Sequence, residues 1–346
     1  MEIRTLTRSP APLPVTQFTR RPAPGAFSIE RVFDDVRAAM PDDVAVTQVR
    51  NRFLSQGLMP RLRDAWSARR RRARVNHVTG DVHYLTFFLP RARTLLTVHD
   101  TVLVDRERGL RRLVLWALWF WLPARRCARM TAISHESKRR ILALIRTDPD
   151  RITVIPNPVS ADFTPQPVTA HDGPFRLLHI GTKANKNLDR LVAALAGLAV
   201  ELTVVGRPGA ASRAALDASG LDLRLLQDLD DAALRAEYAR CDALAFVSLD
   251  EGFGLPIVEA QATGRPVLTS ARAPMDDVAG GAALLVDPTD TDAIRTGVQR
   301  LMTDAALRAD LVARGHRNVT RFSAATVARA YADLYLQIDR EAAADV

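Results

Sequence analysis

The chain has 346 residues, of which 47% are hydrophobic and 25% charged, with two cysteines and a formal net charge of +9 at pH 7. This length is enough for two domains, and a composition close to the soluble average excludes disorder over most of the chain. Cys127 and Cys241 have no Cys or His at metal-ligand spacing, so we expect neither a disulfide framework nor a zinc site, and a reducing compartment fits best. Residues 1–14 lack an apolar core segment, so we expect no signal peptide.

Positive charge is concentrated in the first half of the chain. Residues 1–170 contain 29 Lys and Arg against 15 Asp and Glu, whereas residues 171–346 contain 19 against 24. This asymmetry predicts an anionic partner such as nucleic acid, a phosphorylated substrate or an anionic membrane, although arginines spread over a solvated surface would give the same count. We expect no nucleic acid partner, because the interleaved aromatic and basic residues of the usual modules are missing.

In chain order, the first half alternates between helical and extended patterns. Helices are predicted over 28–40, 62–73 and 135–145, and strands over 74–78, 94–98, 129–134 and 152–155. The apolar run 113–122 is flanked by arginine pairs and is far shorter than the ~20 residues of a membrane span. It predicts either a buried helix or an interfacial element with Trp116, Trp119 and Trp121 among lipid headgroups.

The proline-rich segment 156–174 is typical of an interdomain linker. Beyond it, strands are predicted over 175–180, 201–205, 221–226, 243–247 and 266–269, and helices over 188–198, 210–219, 231–240 and 256–263. Alternating strands and helices predict a parallel sheet covered on both faces. The predicted domains are residues 1–165 and 166–325, with a C-terminal helix over 326–346 that could pack back on the first domain.

Residues 248–264 are the most informative stretch, because ligands of open α/β sheets bind beyond the carboxyl ends of the strands. The strand predicted to end at Val247 is followed by a glycine-rich loop and a helix. Gly252 and Gly254 let the backbone approach a ligand closely, and the helix N-terminus offers N–H groups to a phosphate. The carboxylates of Glu251 and Glu259 can each accept hydrogen bonds from hydroxyl groups.

The motif E-G-F-G-L-P-x-x-E-A, with seven residues between its two glutamates, resembles the signature of the family 4 retaining glycosyltransferases of the GT-B fold. The segments HIGTKANKNL (179–188), LLTVHD (95–100), VTGD (78–81), AISH (132–135) and VIPNP (154–158) are also similar to segments of that family. The resemblance covers residues 75–335. It implies an α/β protein with two doubly wound Rossmann-like domains facing a cleft, and a nucleotide held mainly by the C-terminal domain.

The resemblance also implies roles for individual residues. The catalytic residues would be Lys186 at the leaving diphosphate, Glu251 at the sugar hydroxyls, and His99 at the transferred sugar from the first domain. Glu259 would bind the ribose, and the other donor-binding residues would be Gly252, Phe253, Gly254, Leu255, Gly181 and Lys183. Lys183 stands where many relatives have an arginine, with Asn185 at the alternative alignment.

The acceptor-side residues implied by the resemblance are Asp81, Gly25 and Ser28. Residues 24–28 would be a shortened glycine loop, although the strand that precedes it in relatives is not obvious here. The remaining histidines are expected to be structural or exposed: His77, His83, His135, His171, His179 and His316.

The implied reaction is transfer of a hexose, such as mannose, from a UDP- or GDP-linked donor with retention of configuration and without metal or cofactor. The acceptor would be a glycan or a lipid-diphosphate-linked glycan in surface polysaccharide or lipopolysaccharide assembly. We expect a cytoplasmic enzyme, with peripheral contact with the inner face of an anionic membrane. The alternatives are a GT-B sugar-nucleotide epimerase or phosphorylase, and a non-catalytic scaffold that binds nucleotide sugars.

Overall fold

The structure is a computed structural model that describes residues 11–21, 28–53, 57–105 and 107–344. The chain divides into two units, one formed by residues 1–158 and 324–346 and the other by residues 159–323. The first unit therefore ends at Pro158 and not at residue 165. Most of the proline-rich segment 156–174 belongs to the second unit.

Strands and helices alternate through both units. The strands are β1 (Leu13–Thr19), β2 (Val44–Arg50), β3 (Val75–Val78), β4 (Thr94–Val98), β5 (Arg129–Ala132), β6 (Ile152–Val154), β7 (Phe175–Ile180), β8 (Val200–Val205), β9 (Asp222–Leu226), β10 (Ala243–Phe246), β11 (Val267–Ser270) and β12 (Leu284–Val286). The helices are α1 (Ser28–Ala38), α2 (Leu58–Arg70), α3 (Val102–Asp105), α4 (Gly109–Trp116), α5 (Leu122–Arg125), α6 (His135–Leu144), α7 (Leu188–Leu195), α8 (Ala210–Ala218), α9 (Asp231–Arg240), α10 (Leu255–Thr263), α11 (Met275–Ala279), α12 (Thr291–Thr303), α13 (Ala305–Val319) and α14 (Ala324–Ala344).

Each unit contains a six-stranded parallel sheet. The first sheet has the order β2-β1-β3-β4-β5-β6 and the second the order β12-β11-β10-β7-β8-β9. Strand β10 lies between β11 and β7, and all four of its residues are buried, as expected for a central parallel strand covered on both faces. The predicted fold class of two doubly wound Rossmann-like sheets is confirmed.

Strand β1, which the sequence did not make obvious, lies next to the edge strand β2 in the first sheet and pairs with both β2 and β3. Its polar residues Thr16, Gln17 and Thr19 are buried and interrupt the apolar pattern. Their hydrogen bonds are made inside the unit: Thr16 Oγ1 donates to the carbonyl of Arg71 at 3.0 Å and Gln17 Nε2 donates to the hydroxyl of Tyr335 at 2.9 Å. The sequence pattern did not reveal β1, because the hydrogen-bond partners of these buried polar groups lie far away in the sequence.

The C-terminal helix α14 completes the first unit through a buried polar network. The hydroxyl of Tyr335 lies 2.7 Å from His77 Nδ1, and His77 Nε2 lies 2.7 Å from Thr97 Oγ1. Thr97 Oγ1 in turn lies 2.6 Å from Thr131 Oγ1. The network thus runs from β1 across β3 and β4 to β5 beneath a helix from the far end of the chain.

The tryptophan-rich segment is helical from α4 through a π-helical turn, Ala117–Trp121, into α5. Trp119 is buried, Trp116 Nε1 donates to the carbonyl of Leu144 at 2.8 Å, and Trp121 is half-buried beneath Arg125. Burial of Trp119 contradicts its predicted placement among lipid headgroups, whereas for the half-buried Trp116 and Trp121 that placement stays a prediction. The buried-helix alternative holds only for the C-terminal part, since α4 has no buried residue.

No helix among the described residues is both long enough and apolar enough to cross a bilayer.

A buried guanidinium organises one part of the second unit. Arg265 is 1% exposed, and its donors reach five backbone carbonyls, those of Gln166, Pro167, Tyr238, Ala239 and Gly264. Burial lowers the pKa of Arg265. The five carbonyls replace the water that the cation loses, and they join residues 166–167 to the ends of α9 and α10.

Replacing Arg265 with Met should destabilise the second unit by about 3 kcal/mol, because the carbonyls would remain buried without donors. The exposed Arg207→Met is the matched control and should change the stability by less than about 0.5 kcal/mol. Urea unfolding followed by circular dichroism measures both variants. Equal stability of the two variants would show that the buried guanidinium is dispensable.

Candidate active site

The turn after β7 depends on a glycine. Gly181 has φ 94°, and a Cβ placed there would lie 2.9 to 3.1 Å from the Cε, Cγ and Cδ atoms of Lys186. Lys186 ends the short 3-10 turn Ala184–Lys186, and its side chain lies back across the glycine. The Lys186 side chain can therefore lie across residue 181 only because that residue has no side chain of its own.

Lys186 and Glu251, both predicted as catalytic, are in direct contact. Lys186 Nζ donates to Glu251 Oε1 at 2.7 Å, and the two side chains are 18% and 13% exposed. The ammonium also lies 4.7 Å from the ring centroid of Phe246 at the end of β10. Because β7 and β10 are parallel neighbours, the loops that follow them meet and bring these opposite charges together.

Two asparagines join the same loops. Asn185 Nδ2 donates to the carbonyl of Asp250 at 2.8 Å, and the Leu249 N–H donates to the carbonyl of Asn185 at 2.7 Å. Asn187 has φ 62°, a conformation that asparagine tolerates better than most residues, and Nδ2 donates to the carbonyls of Val247 and Pro288. These bonds hold the Lys186 turn against the Glu251 loop.

Helix α10 begins beside this ion pair. Gly254 is its N-cap with φ 108°, and Leu255 is its first residue. Gly252 and Leu255 are half-buried. Phe253 is 5% exposed with its ring against Phe322, so only its backbone can serve the predicted donor contact. The helix N-terminus offers unpaired N–H groups and the positive end of a dipole to an anion.

Glu259, predicted to bind the ribose, is half-buried on α10. The hydroxyl of Tyr238 donates to Glu259 Oε2 at 2.7 Å. Burial, followed by the charge of Glu259, raises the pKa of Tyr238 well above its usual value, so the phenol keeps its proton and remains a donor. The sequence did not reveal Tyr238, because it lies on a different helix with no pattern linking it to Glu259. A carboxylate held in this way can still accept hydrogen bonds from a diol.

A cavity of about 600 Å³ lies at the glycine turn, lined in part by Thr182, Lys183, Asn187 and Leu249. Lys183 is exposed. A cavity of about 690 Å³ lies at the other edge of the sheet, against the first residue of β7 and against Asp242, which precedes β10. We favour the smaller cavity as part of the site, because the charged groups and the carboxyl ends of the strands lie beside it.

In the first unit, His99 follows β4 and is 8% exposed. Burial lowers the pKa of His99 to about 4, and the charge of Asp81 opposes this shift. The imidazole is therefore neutral at pH 7, and its Nε2 has no hydrogen-bond partner among the described residues. A buried nitrogen of this kind is available to donate or accept a hydrogen bond, depending on its tautomer.

The predicted acceptor-side residues are partly described. Asp81 accepts from Arg20 at 2.9 Å, and Arg20 also pairs with Glu30 at 2.6 Å. Ser28 is the first residue of α1, with only its backbone described, and Gly25 lies outside the described residues. Sequence reasoning missed Arg20, because it follows β1, the strand that was not obvious.

Of the histidines expected to be structural or exposed, four form hydrogen bonds inside their units: His77, His83, His171 and His179. His135 is exposed. The described residues contain no group of three or more His, Cys, Asp or Glu side chains that could hold a metal ion.

Substituting Ala at Gly181 should destabilise the second unit more than substituting Ala at Gly197. Both glycines have positive φ, so each change introduces about 1 kcal/mol of backbone strain. A Cβ at position 197 meets nothing within 4 Å, whereas a Cβ at position 181 collides with Lys186. Urea unfolding of the two variants measures how much the contact with Lys186 adds to the backbone strain. Equal losses of stability would mean that the Lys186 side chain does not need a glycine at position 181.

Acidification should weaken the first unit, in part through His99. Between pH 6.5 and about 4 the unfolded chain binds a proton that the folded His99 does not, so stability falls as the pH falls through this window. His99→Asn should reduce that loss by up to about 3 kcal/mol. All four tryptophans lie in the first unit, so fluorescence-detected unfolding at each pH measures it. The exposed His135→Asn is the control, and the same pH slope for both variants would contradict the assignment.

Comparisons with known proteins cover both units. A family model described as Glycosyltransferase Family 4 matches residues 15–163, and one described as Glycosyl transferases group 1 matches residues 174–304. The HepE protein of Anabaena, solved with UDP and glucose, superposes with a TM-score of 0.73 at 16% identity, covering 94% of this chain and 100% of that one. At this identity the likeness shows the fold alone.

Two curated relatives match part of the chain. O-antigen chain mannosyltransferase B of Escherichia coli is 37% identical over 101 residues, which are 29% of this chain and 26% of that protein. D-inositol 3-phosphate glycosyltransferase of Kineococcus radiotolerans is 29% identical over 256 residues, with 63% of this chain and 59% of that protein covered. The chain thus spans between a quarter and three-fifths of these relatives. Since a family 4 model matches the first unit, a group 1 glycosyltransferase model matches the second and the curated relatives are glycosyltransferases, the chain belongs to glycosyltransferase family 4.

Proposed function

We propose that the protein is a retaining glycosyltransferase that moves a hexose from a nucleoside-diphosphate donor to a glycan or lipid-linked glycan. The observation that carries the proposal is the contact between Lys186 and Glu251 at 2.7 Å, beside the glycine turn and the N-terminus of α10. A cation, a carboxylate and a helix N-terminus within one unit suit a ligand that combines a diphosphate with hydroxyl groups.

The proposed roles follow from the chemistry of each group. Lys186 and the N–H groups of α10 stabilise the negative charge that develops on the departing diphosphate. Glu251 accepts hydrogen bonds from the sugar, and Glu259, oriented by Tyr238, accepts them from the ribose. The neutral His99 exchanges a hydrogen bond with a sugar hydroxyl.

The proposed step is a displacement on one face of the sugar. The bond between the anomeric carbon and the diphosphate oxygen breaks, and the acceptor oxygen forms its bond on the same face, which retains the configuration. The departing phosphate oxygen takes the acceptor's proton. The reaction uses neither metal nor cofactor, because Lys186 and the helix dipole supply the positive charge.

The proposed pathway is assembly of a surface polysaccharide or lipopolysaccharide. The name of the Escherichia coli relative, an O-antigen chain mannosyltransferase, supports mannose as the sugar, and the donor that we propose is linked to GDP or UDP. The basic first half of the chain supports an acceptor carried on a lipid diphosphate, with the enzyme in the cytoplasm and in peripheral contact with an anionic membrane.

Thermal unfolding with UDP, GDP, ADP, TDP or CMP, without added metal, tests the donor site. One nucleoside diphosphate should raise Tm, because a ligand at 100 times its Kd stabilises the folded state by about 2.7 kcal/mol. Glu259→Gln and Lys186→Ala should abolish the shift. Lys138→Ala, in the first unit, is the matched control for the lost ammonium and should keep it.

Absence of a shift with all five nucleotides would favour the non-catalytic scaffold. A shift that survives in both site variants would place the nucleotide elsewhere. Once the donor is known, the anomeric configuration of the product, read by NMR in the presence of EDTA, tests retention and metal independence together. An inverted product would overturn the displacement on one face.

A further inference from the structure

Helix α2 exposes its larger apolar side chains and buries its smaller residues. Its buried residues are Asp64, Ala65 and Ala68. Its exposed apolar side chains are Leu58, Met59, Leu62 and Trp66, with 71%, 60%, 42% and 53% of their surface accessible. Positions 58, 62 and 66 are four residues apart and therefore form one stripe along the helix. This stripe faces away from the core of the first unit.

Helix α4 has the same property. None of its residues is buried, and Leu110, Leu113, Val114 and Leu118 at the following π turn are 76%, 56%, 46% and 40% exposed. Their spacing of three, four and eight residues from Leu110 again forms a single stripe. Among the described residues, all but two of the large exposed apolar side chains lie between positions 58 and 118, the exceptions being Val168 and Leu285.

The two stripes belong to adjacent elements. The guanidinium of Arg61 on α2 lies 4.6 Å over the ring of Trp119, which belongs to the π turn that continues α4. Helix α2 also packs against the 3-10 turn His83–Phe88, and His83 Nδ1 lies 2.6 Å from the carbonyl of Trp119. We call the exposed surface formed by residues 58–72 and 108–126 the arginine-leucine face.

Arginines accompany both stripes. They are Arg61, Arg63, Arg69, Arg70, Arg71, Arg72, Arg108, Arg111, Arg112, Arg125 and Arg126. The carboxylate of Asp64 is buried and accepts the backbone N–H groups of Arg52 and Phe53, so it does not neutralise the surface. Within the described residues, Glu107 pairs with Arg111 at 3.3 Å, whereas Arg69 and Arg112 form no ion pair.

We propose that the arginine-leucine face binds the surface of an anionic lipid bilayer, with α2 and α4 lying in the plane of the interface. The aliphatic side chains and Trp66 enter the boundary between headgroups and acyl chains, and the arginines contact lipid phosphates. The guanidinium of Arg70 lies 3.5 Å from the ring centroid of Trp66, a pairing that joins an apolar body to a charged tip. This inference names the surface for the membrane contact in the proposed function.

The charges favour a bilayer over other occupants. A symmetric dimer through this face would bring each arginine cluster close to its own copy, and like charges repel. Nucleic acid would satisfy the arginines but would leave Leu110, Leu113 and Val114 without an apolar partner. An anionic bilayer supplies both an apolar layer and negative charge.

Flotation with vesicles tests the face without any donor or acceptor. The full chain should bind vesicles of equal parts phosphatidylcholine and phosphatidylglycerol, bind pure phosphatidylcholine far more weakly, and lose binding as salt is raised. The double variant Leu110→Ser, Leu113→Ser should bind the anionic vesicles about tenfold more weakly, because two exposed leucines no longer enter the bilayer. Val168→Ser, in the second unit, is the matched control and should bind like the unaltered protein.

A second variant separates charge from apolar contact. Arg69→Gln with Arg112→Gln should weaken binding about tenfold and reduce its dependence on salt. The exposed Arg207→Gln with Arg213→Gln, in the second unit, is the control for loss of charge. Equal binding by all variants, or no binding to anionic vesicles by the unaltered protein, overturns the proposal. A dimer in sedimentation that the leucine variant dissociates, without vesicle binding, also overturns it.

The outcome is separable from the proposed function. The leucine and arginine variants change the first unit, whereas the nucleotide contacts proposed above lie in the second unit, so the variants should keep the nucleotide-dependent rise in Tm. Vesicle binding without any effect of nucleotides on Tm would support the proposed membrane surface and contradict the proposed glycosyltransferase activity. A rise in Tm with a nucleotide, without vesicle binding, would support the proposed activity and contradict the proposed membrane surface.

Discussion

Parallel pairing of every strand in the two sheets is the constraint on which the rest of the molecule depends. Parallel strands need crossover connections, and these helices cover the faces of the sheet. Within each sheet the carboxyl ends of all strands therefore lie along the same edge, and the loops that follow neighbouring strands are brought together. Lys186 after β7 meets Glu251 after β10 for this reason, and Asp81 after β3 lies within electrostatic reach of His99 after β4.

Much of the second unit could be predicted because its elements depend on local pattern. Strand β7 and helix α9 begin and end where the sequence predicts, because an apolar run and a helix capped by Asp230 carry their own signals. In the first unit, β1 depends on Tyr335 and on the carbonyl of Arg71 to satisfy Gln17 and Thr16. No local pattern can contain a partner more than 300 residues away.

In the candidate site, too, some residues could be predicted from local sequence and others could not. The motif residues Glu251 and Glu259 could be chosen from the sequence, because glycines, a proline and two glutamates stand in one short segment. The partner of each glutamate lies on a different element: Lys186 in the turn after β7 and Tyr238 on α9. The apolar run 113–122 likewise predicted either a buried helix or an interfacial element, but it did not show which side of the helix is exposed. The indoles pack inward against neighbouring carbonyls and rings, and the leucines before them point outward.

The closing of the first unit by α14 bears on how the chain is made. A ribosome releases residues 1–158 long before residues 324–346, so the nascent first unit contains Gln17 and His77 but not the hydroxyl of Tyr335 that contacts both. Its apolar face against Val327, Tyr331 and Ile338 is also uncovered during that interval. The second unit is continuous in sequence and has all of its residues earlier. Synthesis therefore completes the second unit before the first, and an apolar face of the first 158 residues stays uncovered until α14 emerges, the kind of exposed surface that favours aggregation.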